Sequence, residues 1–354
     1  MHARLHTRAC DLFGIQFPIV QTGMGWVAGP RLTSATSNAG GLGILASATM
    51  DFAELTAAIV SVKSRTSKPF GVNLRADSAD VIDRVKLLID QQVRVASFAQ
   101  APKESLISML HDGGVLVVPS IGAKRHAEKV LQWGVDAVLV QGGEGGGHTG
   151  SVPTTILLPQ VVDAVAGQVP VIAAGGFFDG RGLVAALAYG ADGIAMGTRF
   201  LLTSDSAVPQ SVKDYYLSRS VTETTVTKQV DGVPHRVLNT DLVNQLESGT
   251  GKLLALPRAA LNALRFRRLT NVTLRSMMSE GRAMRRSMDL SWAQVLMAAN
   301  TPMLLKAALV DGRIESGVMA SGQVVGVIDD LPTCAELIER IVAEAEVVLK
   351  DLGA

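Results

Sequence analysis

Residues 170–200 read PVIAAGGFFDGRGLVAALAYGADGIAMGTRF. A short apolar run, Pro170–Ala174, ends in the pair Gly175-Gly176. A helical pattern follows over Gly182–Tyr189, and a second short apolar run, Gly193–Met196, ends in Gly197-Thr198. This is strand, helix and strand again, the repeat of a parallel βα architecture. Neither apolar run alternates with polar residues, as expected for strands buried on both faces.

The same unit recurs back along the chain. Apolar runs stand at Pro18–Gln21, Leu42–Ala46, Phe70–Leu74, Val93–Phe98, Val115–Ser120 and Ala137–Gln141. Helical patterns between them include Phe52–Lys63, Val81–Gln91, Lys103–Leu110, His126–Trp133 and Thr155–Ala166. Eight βα units within the first 200 residues predict an α/β fold, a (β/α)8 TIM barrel. A doubly wound open sheet is the competing architecture, and eight consecutive units argue against it. Polar and glycine residues cluster just after the strands, at Gln21–Gly25, Asn73, Ser120, 141–150, Gly175–Gly176 and Gly197–Thr198. In a barrel these positions share the C-terminal mouth, where sites are built.

After Leu202 the rhythm stops. The expected division is a barrel over 1–209, a smaller, mostly helical second domain or lid over 210–300, and a segment over 301–354 that packs back on the barrel. The middle region carries Arg258, Arg265, Arg267, Arg268, Arg275, Arg282, Arg285 and Arg286. The tail Ala335–Leu352 reads as a closing amphipathic helix.

Composition narrows the function. Of 354 residues 47% are hydrophobic, enough for a large core, and the net charge of +1 gives no electrostatic case for nucleic acid or an anionic membrane. Two isolated cysteines, Cys10 and Cys334, predict neither a disulfide framework nor a zinc site, and no bound metal is expected. The opening MHARLHTRAC lacks the apolar core of a signal peptide, and no apolar run is long enough to span a membrane. A cytoplasmic protein is the expectation.

Residues 141–150, QGGEGGGHTG, contain six glycines and one imidazole, His148. Bare backbone lets a ligand approach closely and can form an anion-binding concavity. Gly145–Gly150 satisfies GxGxxG formally, but it follows the sixth strand rather than opening a βαβ unit, so it is weak as a dinucleotide fingerprint. The better phosphate signal is the pair of loops at Gly175-Gly176 and Gly197-Thr198, since barrel enzymes frequently grip phosphate after these two strands. An ordinary imidazole titrates near about pH 6.5, which suits His148 to proton transfer. His2, His6, His111, His126 and His235 read as structural or solvated.

The runs GGEGGGHTG, PVIAAGGFFDGRG and AMGTRF, together with the N-terminal PIVQTGMGWVAGPRLTSATSNAGGLGIL and the late SGVMASGQVVGVIDD, closely resemble the nitronate monooxygenase family and the related flavin-dependent enoyl-acyl-carrier-protein reductases. The arginine-rich segment and SWAQVLMAANTPMLLKA look further like the flavin-dependent acyl-CoA dehydrogenases of actinobacterial steroid degradation. The resemblance implies a TIM barrel with non-covalent FMN. It implies that Gly23 and Met24 lie against the flavin ring, and that Asn73 and Lys124 hydrogen-bond to it. Gly150 and Ser151 would meet the ribityl-phosphate side, while Gly175, Gly176, Gly197 and Thr198 hold the phosphate. His148 is then the base, or the hydrogen-bond donor to an enolate, in desaturation of an indane-carboxyl-CoA thioester. NAD is the implied electron acceptor, Arg267 and Arg268 are the candidate partners of the CoA phosphates, and a homodimer is expected. Oxidation of alkyl nitronates with oxygen and reduction of enoyl thioesters by NAD(P)H stand as rival activities; a non-catalytic flavin- or phosphate-binding barrel is a third reading, disfavoured by His148.

Overall fold

A computed structural model describes residues 2–248 and 301–353. Eight parallel strands close into a barrel in the order β1 (Ile19–Gln21), β2 (Leu42–Ala46), β3 (Phe70–Leu74), β4 (Val95–Phe98), β5 (Leu116–Ile121), β6 (Val138–Gln141), β8 (Val171–Ala174) and β9 (Gly193–Met196). Closure comes from β1 pairing with β9 in parallel, Val20 opposite Ala195. The predicted TIM barrel is therefore observed.

The strands lack polar alternation because both of their faces are apolar. Leu42 and Ile44 of β2 join Val20, Val118, Leu139, Ile172 and Ala195 in one cluster inside the barrel. Leu45 belongs to the larger cluster between barrel and helices. Successive residues thus point to opposite faces, one inward and one outward. The inner cluster is closed below by the helix Arg8–Phe13, through Ala9, Cys10 and Phe13.

Short helices follow most strands, and their ends are cut by side-chain caps. Asp51 and Glu54 form a reciprocal capping box on the helix Phe52–Arg65, and Asp179 accepts from the Gly182 amide on the helix Gly180–Ala188. Directly after β9 comes the four-residue helix Thr198–Leu201. The eighth place in the outer ring goes instead to the helix Cys334–Asp351, which packs on the helices Gly180–Ala188 and Pro30–Asn38. Its apolar stripe of Leu337, Ile338, Ile341, Ala345 and Leu349 is buried.

The described residues between β9 and that closing helix, 197–248 and 301–333, include segments that stand over the barrel mouth. Among those described, 210–248 carry the helices Gln210–Leu217 and Asp241–Glu247, and also a β-hairpin of β10 (Thr224–Thr227) and β11 (His235–Leu238). The hairpin takes a third, antiparallel strand from the glycine loop, β7 (Gly147–His148), giving the order β10-β11-β7. This sheet within the region expected to be mostly helical ties it directly to the barrel. The helix Thr301–Leu309 is tied on as well: the Trp26 indole donates to the Pro302 carbonyl at 2.9 Å, and the Thr301 hydroxyl donates to Val230 O at 3.3 Å. No helix among the described residues is long and apolar enough to cross a membrane.

Candidate active site

The top inward layer of the barrel is made of small or polar residues. Asn73, Ser97, Ser120, Ala174 and Ala195 leave space where larger side chains would fill the lumen, and they floor a cavity of about 450 Å³. Its walls are the loops after the strands, and the helix Thr301–Leu309 contributes Pro302 and Leu305 to its upper side. A cavity of this size, largely apolar with convergent polar groups, is the usual form of a ligand site.

The glycine loop that forms one wall is held at many points. Gln141 Nε2 donates to the His148 carbonyl at 2.8 Å. The Glu144 carboxylate accepts from the Thr154 amide and hydroxyl, capping the helix Thr154–Val165. Arg236, on β11, donates two hydrogen bonds to the Gly143 carbonyl, at 2.8 and 3.1 Å. A Cβ on Gly146 would stand 2.5 Å from the backbone of Ser321 and Gly322, so the loop and the 320–324 segment touch backbone to backbone. Beside this loop Gly175 and Gly176 hold φ near +90°, the left-handed region that favours glycine, and a Cβ on Gly175 would stand 3.0 Å from the Gly142 carbonyl.

His148 is presented by this loop with its side chain 62% exposed. Its Nε2 lies 2.6 Å from Oδ2 of Asp231, which sits in the β10–β11 turn and is almost fully buried. A second imidazole, His235, reaches the same oxygen through Nδ1 at 3.2 Å. The pairing follows from strand register, because His235 lies directly opposite His148 between β11 and β7. The two rings are tilted, with centroids 4.7 Å apart.

The electrostatics of this trio follow from the carboxylate. Burial raises the pKa of Asp231, but hydrogen bonds from His148 and His235, joined by their charges whenever the rings are protonated, outweigh that cost and hold it well below the usual carboxylate range. An ionised carboxylate only accepts, so both facing ring nitrogens carry protons. Neutral His148 then offers its other nitrogen, Nδ1, as a lone pair. That is the orientation logic by which a buried carboxylate prepares an imidazole to take a proton.

The structure gathers eight of the expected site residues around the cavity: Gly23, Met24, Asn73, His148, Gly175, Gly176, Gly197 and Thr198. It does not bring Lys124, Gly150 and Ser151 into the lining. All three are exposed, and Lys124 Nζ stands 3.6 Å from Glu128. Arg267 and Arg268 lie outside the described residues. Asp231 and His235 were not singled out from sequence as site residues; His235 read as structural or solvated, yet it lines the cavity beside His148. Their spacing in VDGVPH, an acid and an imidazole four residues apart about a Gly and a Pro, is the one sequence signal that marks them.

The family model for nitronate monooxygenase matches residues 6–86 and 80–344. A protein of Mycobacterium tuberculosis (strain ATCC 25618 / H37Rv) is 63% identical over 352 residues, covering 99% of both chains. It is named (3aS,4S,5R,7aS)-5-hydroxy-7a-methyl-1-oxo-octahydro-1H-indene-4-carboxyl-CoA dehydrogenase. A protein of the same name from Rhodococcus jostii (strain RHA1) is 61% identical over 350 residues, covering 99% of this chain and 98% of its own. Among solved structures, FabK from Thermotoga maritima superposes with a TM-score of 0.81 at 33% identity, covering 98% of each chain.

Proposed function

Because the chain belongs to the nitronate monooxygenase family, we propose that it is an FMN-dependent dehydrogenase that desaturates a steroid-derived bicyclic acyl-CoA thioester. The identity of 61–63% over nearly the whole chain supports the substrate class named in those two relatives. The observation that carries the chemistry is the His148–Asp231 pair at the cavity mouth.

The cavity fits a flavin mononucleotide. A Cβ on Gly176 would meet nothing closer than Glu144 at 3.9 Å, and the residue lines the cavity with its bare backbone. Gly175, Gly176, Gly197 and Thr198 would hold the phosphate through backbone amides, Gly23 and Met24 would lie against the ring, and Asn73 would hydrogen-bond to it. Lys124, Gly150 and Ser151 would have to reach inward from the rim. When bound, FMN supplies the hydride acceptor for the β carbon. His148 takes the proton α to the thioester carbonyl at Nδ1, and Asp231 holds the imidazolium that forms. NAD is the proposed final electron acceptor, and Arg267 and Arg268 the proposed grip on the CoA phosphates.

Anaerobic mixing tests the reading. Bleaching of the bound flavin by the indane-carboxyl-CoA supports it. Bleaching by NAD(P)H but not by the acyl-CoA would instead make the enzyme an enoyl-thioester reductase, and oxygen uptake driven by a nitronate would make it a nitronate oxidase.

A further inference from the structure

His235 has a nitrogen the site leaves unused. The ring is 3% exposed, lines the cavity, and donates a hydrogen bond from Nδ1–H to the Asp231 carboxylate. Nε2 is then a lone-pair acceptor, buried and without a hydrogen-bond partner among the described residues. Buried polar atoms are nearly always paired, so an orphan beside a cavity marks a place for a donor that arrives with the ligand.

The position of that nitrogen is informative. His148 and His235 share one carboxylate oxygen, sit opposite each other on paired strands, and have rings 4.7 Å apart. Rings this close are within reach of neighbouring atoms of one bound molecule. In the compound named for the two relatives, the ring carbon bearing the thioester carboxyl (position 4) adjoins the ring carbon bearing a hydroxyl (position 5).

We propose that His235 Nε2 accepts a hydrogen bond from this vicinal ring hydroxyl, so that the enzyme selects acyl-CoA thioesters hydroxylated next to the carbon that loses its proton. The inference rests on the acyl-CoA dehydrogenase reading and assigns its specificity. A keto group or a plain methylene at that position offers no donor and leaves Nε2 buried and unpaired. Sites built to pair a substrate hydroxyl reject the analogue lacking it far more strongly than apolar pockets reject a missing methylene.

The test is anaerobic flavin reduction by the hydroxylated indane-carboxyl-CoA and by its deoxy analogue. Wild type should favour the hydroxylated thioester in kcat/KM by at least about 10²-fold. In His235→Phe that ratio should fall toward unity, whatever the absolute rates. Should His235→Phe not fold, the nitrogen-15 shift of His235 Nε2 in wild type carries the test: it should move on binding the hydroxylated product and stay in place with the deoxy product. Equal wild-type rates for the two thioesters, a preference that persists in His235→Phe, or a shift indifferent to the hydroxyl would overturn the proposal while leaving the dehydrogenase reading intact. Reduction by neither thioester would overturn both.

Discussion

The Nε2 of His148 stands 2.6 Å from Oδ2 of Asp231, a residue 83 positions further along the chain. Two strands of two residues or more, β7 and β11, must pair in one register for this contact to form. The imidazole proposed as the base is thus oriented by a carboxylate that no local segment could supply.

Asp231→Asn should therefore impair proton abstraction without emptying the cofactor site. An amide can offer its N–H to the ring and so favour the tautomer with its proton on the wrong nitrogen. The expected loss in kcat/KM for flavin reduction by acyl-CoA is about 10²–10⁴-fold, with FMN content unchanged. A loss below threefold would show that the carboxylate does not orient the base.

His148→Gln should cost a similar factor, about 10²–10⁴-fold. Because the two residues act as a unit, the double variant should be scarcely worse than His148→Gln alone. Stopped-flow measurement of all three variants checks this; additive losses would separate their roles.

Acid should weaken the fold through Asp231. Its folded pKa is depressed, so it contributes stability that is fully present above the unfolded carboxylate value of about 3.9 and is lost as pH falls toward the folded value. The stability gap between wild type and Asp231→Asn in urea titrations should be widest at pH 6–7 and narrow below about pH 4. A gap that does not change with pH would contradict the pairing.

Gly146→Ala should distort the glycine loop. The added methyl would meet the backbone of Ser321 and Gly322 at 2.5 Å, a clash that no side-chain rotation relieves. Overpacking of this kind costs about 1–3 kcal/mol, visible in thermal unfolding, and it should weaken FMN retention on gel filtration.

Replacing Arg267 and Arg268 with Ala should raise KM for the CoA thioester and leave a free-acid substrate unaffected. Equal effects on both substrates would remove these arginines from CoA binding.

The barrel was legible because its strands are apolar on both faces, so runs such as Leu42–Ala46 and Phe70–Leu74 carry their own boundaries. His148 was legible for the opposite reason, as a lone imidazole in a stretch of glycine. The hairpin was not. β10 reads TTVT and β7 is Gly-His, and neither carries an apolar period. Their pairing depends on contacts between residues far apart in sequence, and so do the roles of Asp231 and His235. Lys124 illustrates the converse: the family resemblance implied a contact with the flavin, but the helix it opens directs it to solvent and to Glu128.

The helix Cys334–Asp351 fills the gap between the helices Gly180–Ala188 and Pro30–Asn38, and this imposes an order on biogenesis. All eight strands leave the ribosome well before it, so during synthesis a nearly complete barrel waits with one flank of its apolar wall uncovered. Ile338 and Ile341 seal that flank only after the whole mouth region has been made. Contacts that span almost the full chain close slowly, and until then the open flank is a surface for chaperones or for aggregation. Truncation before residue 334 should thus yield insoluble protein even though every strand and every residue proposed for the flavin site is present.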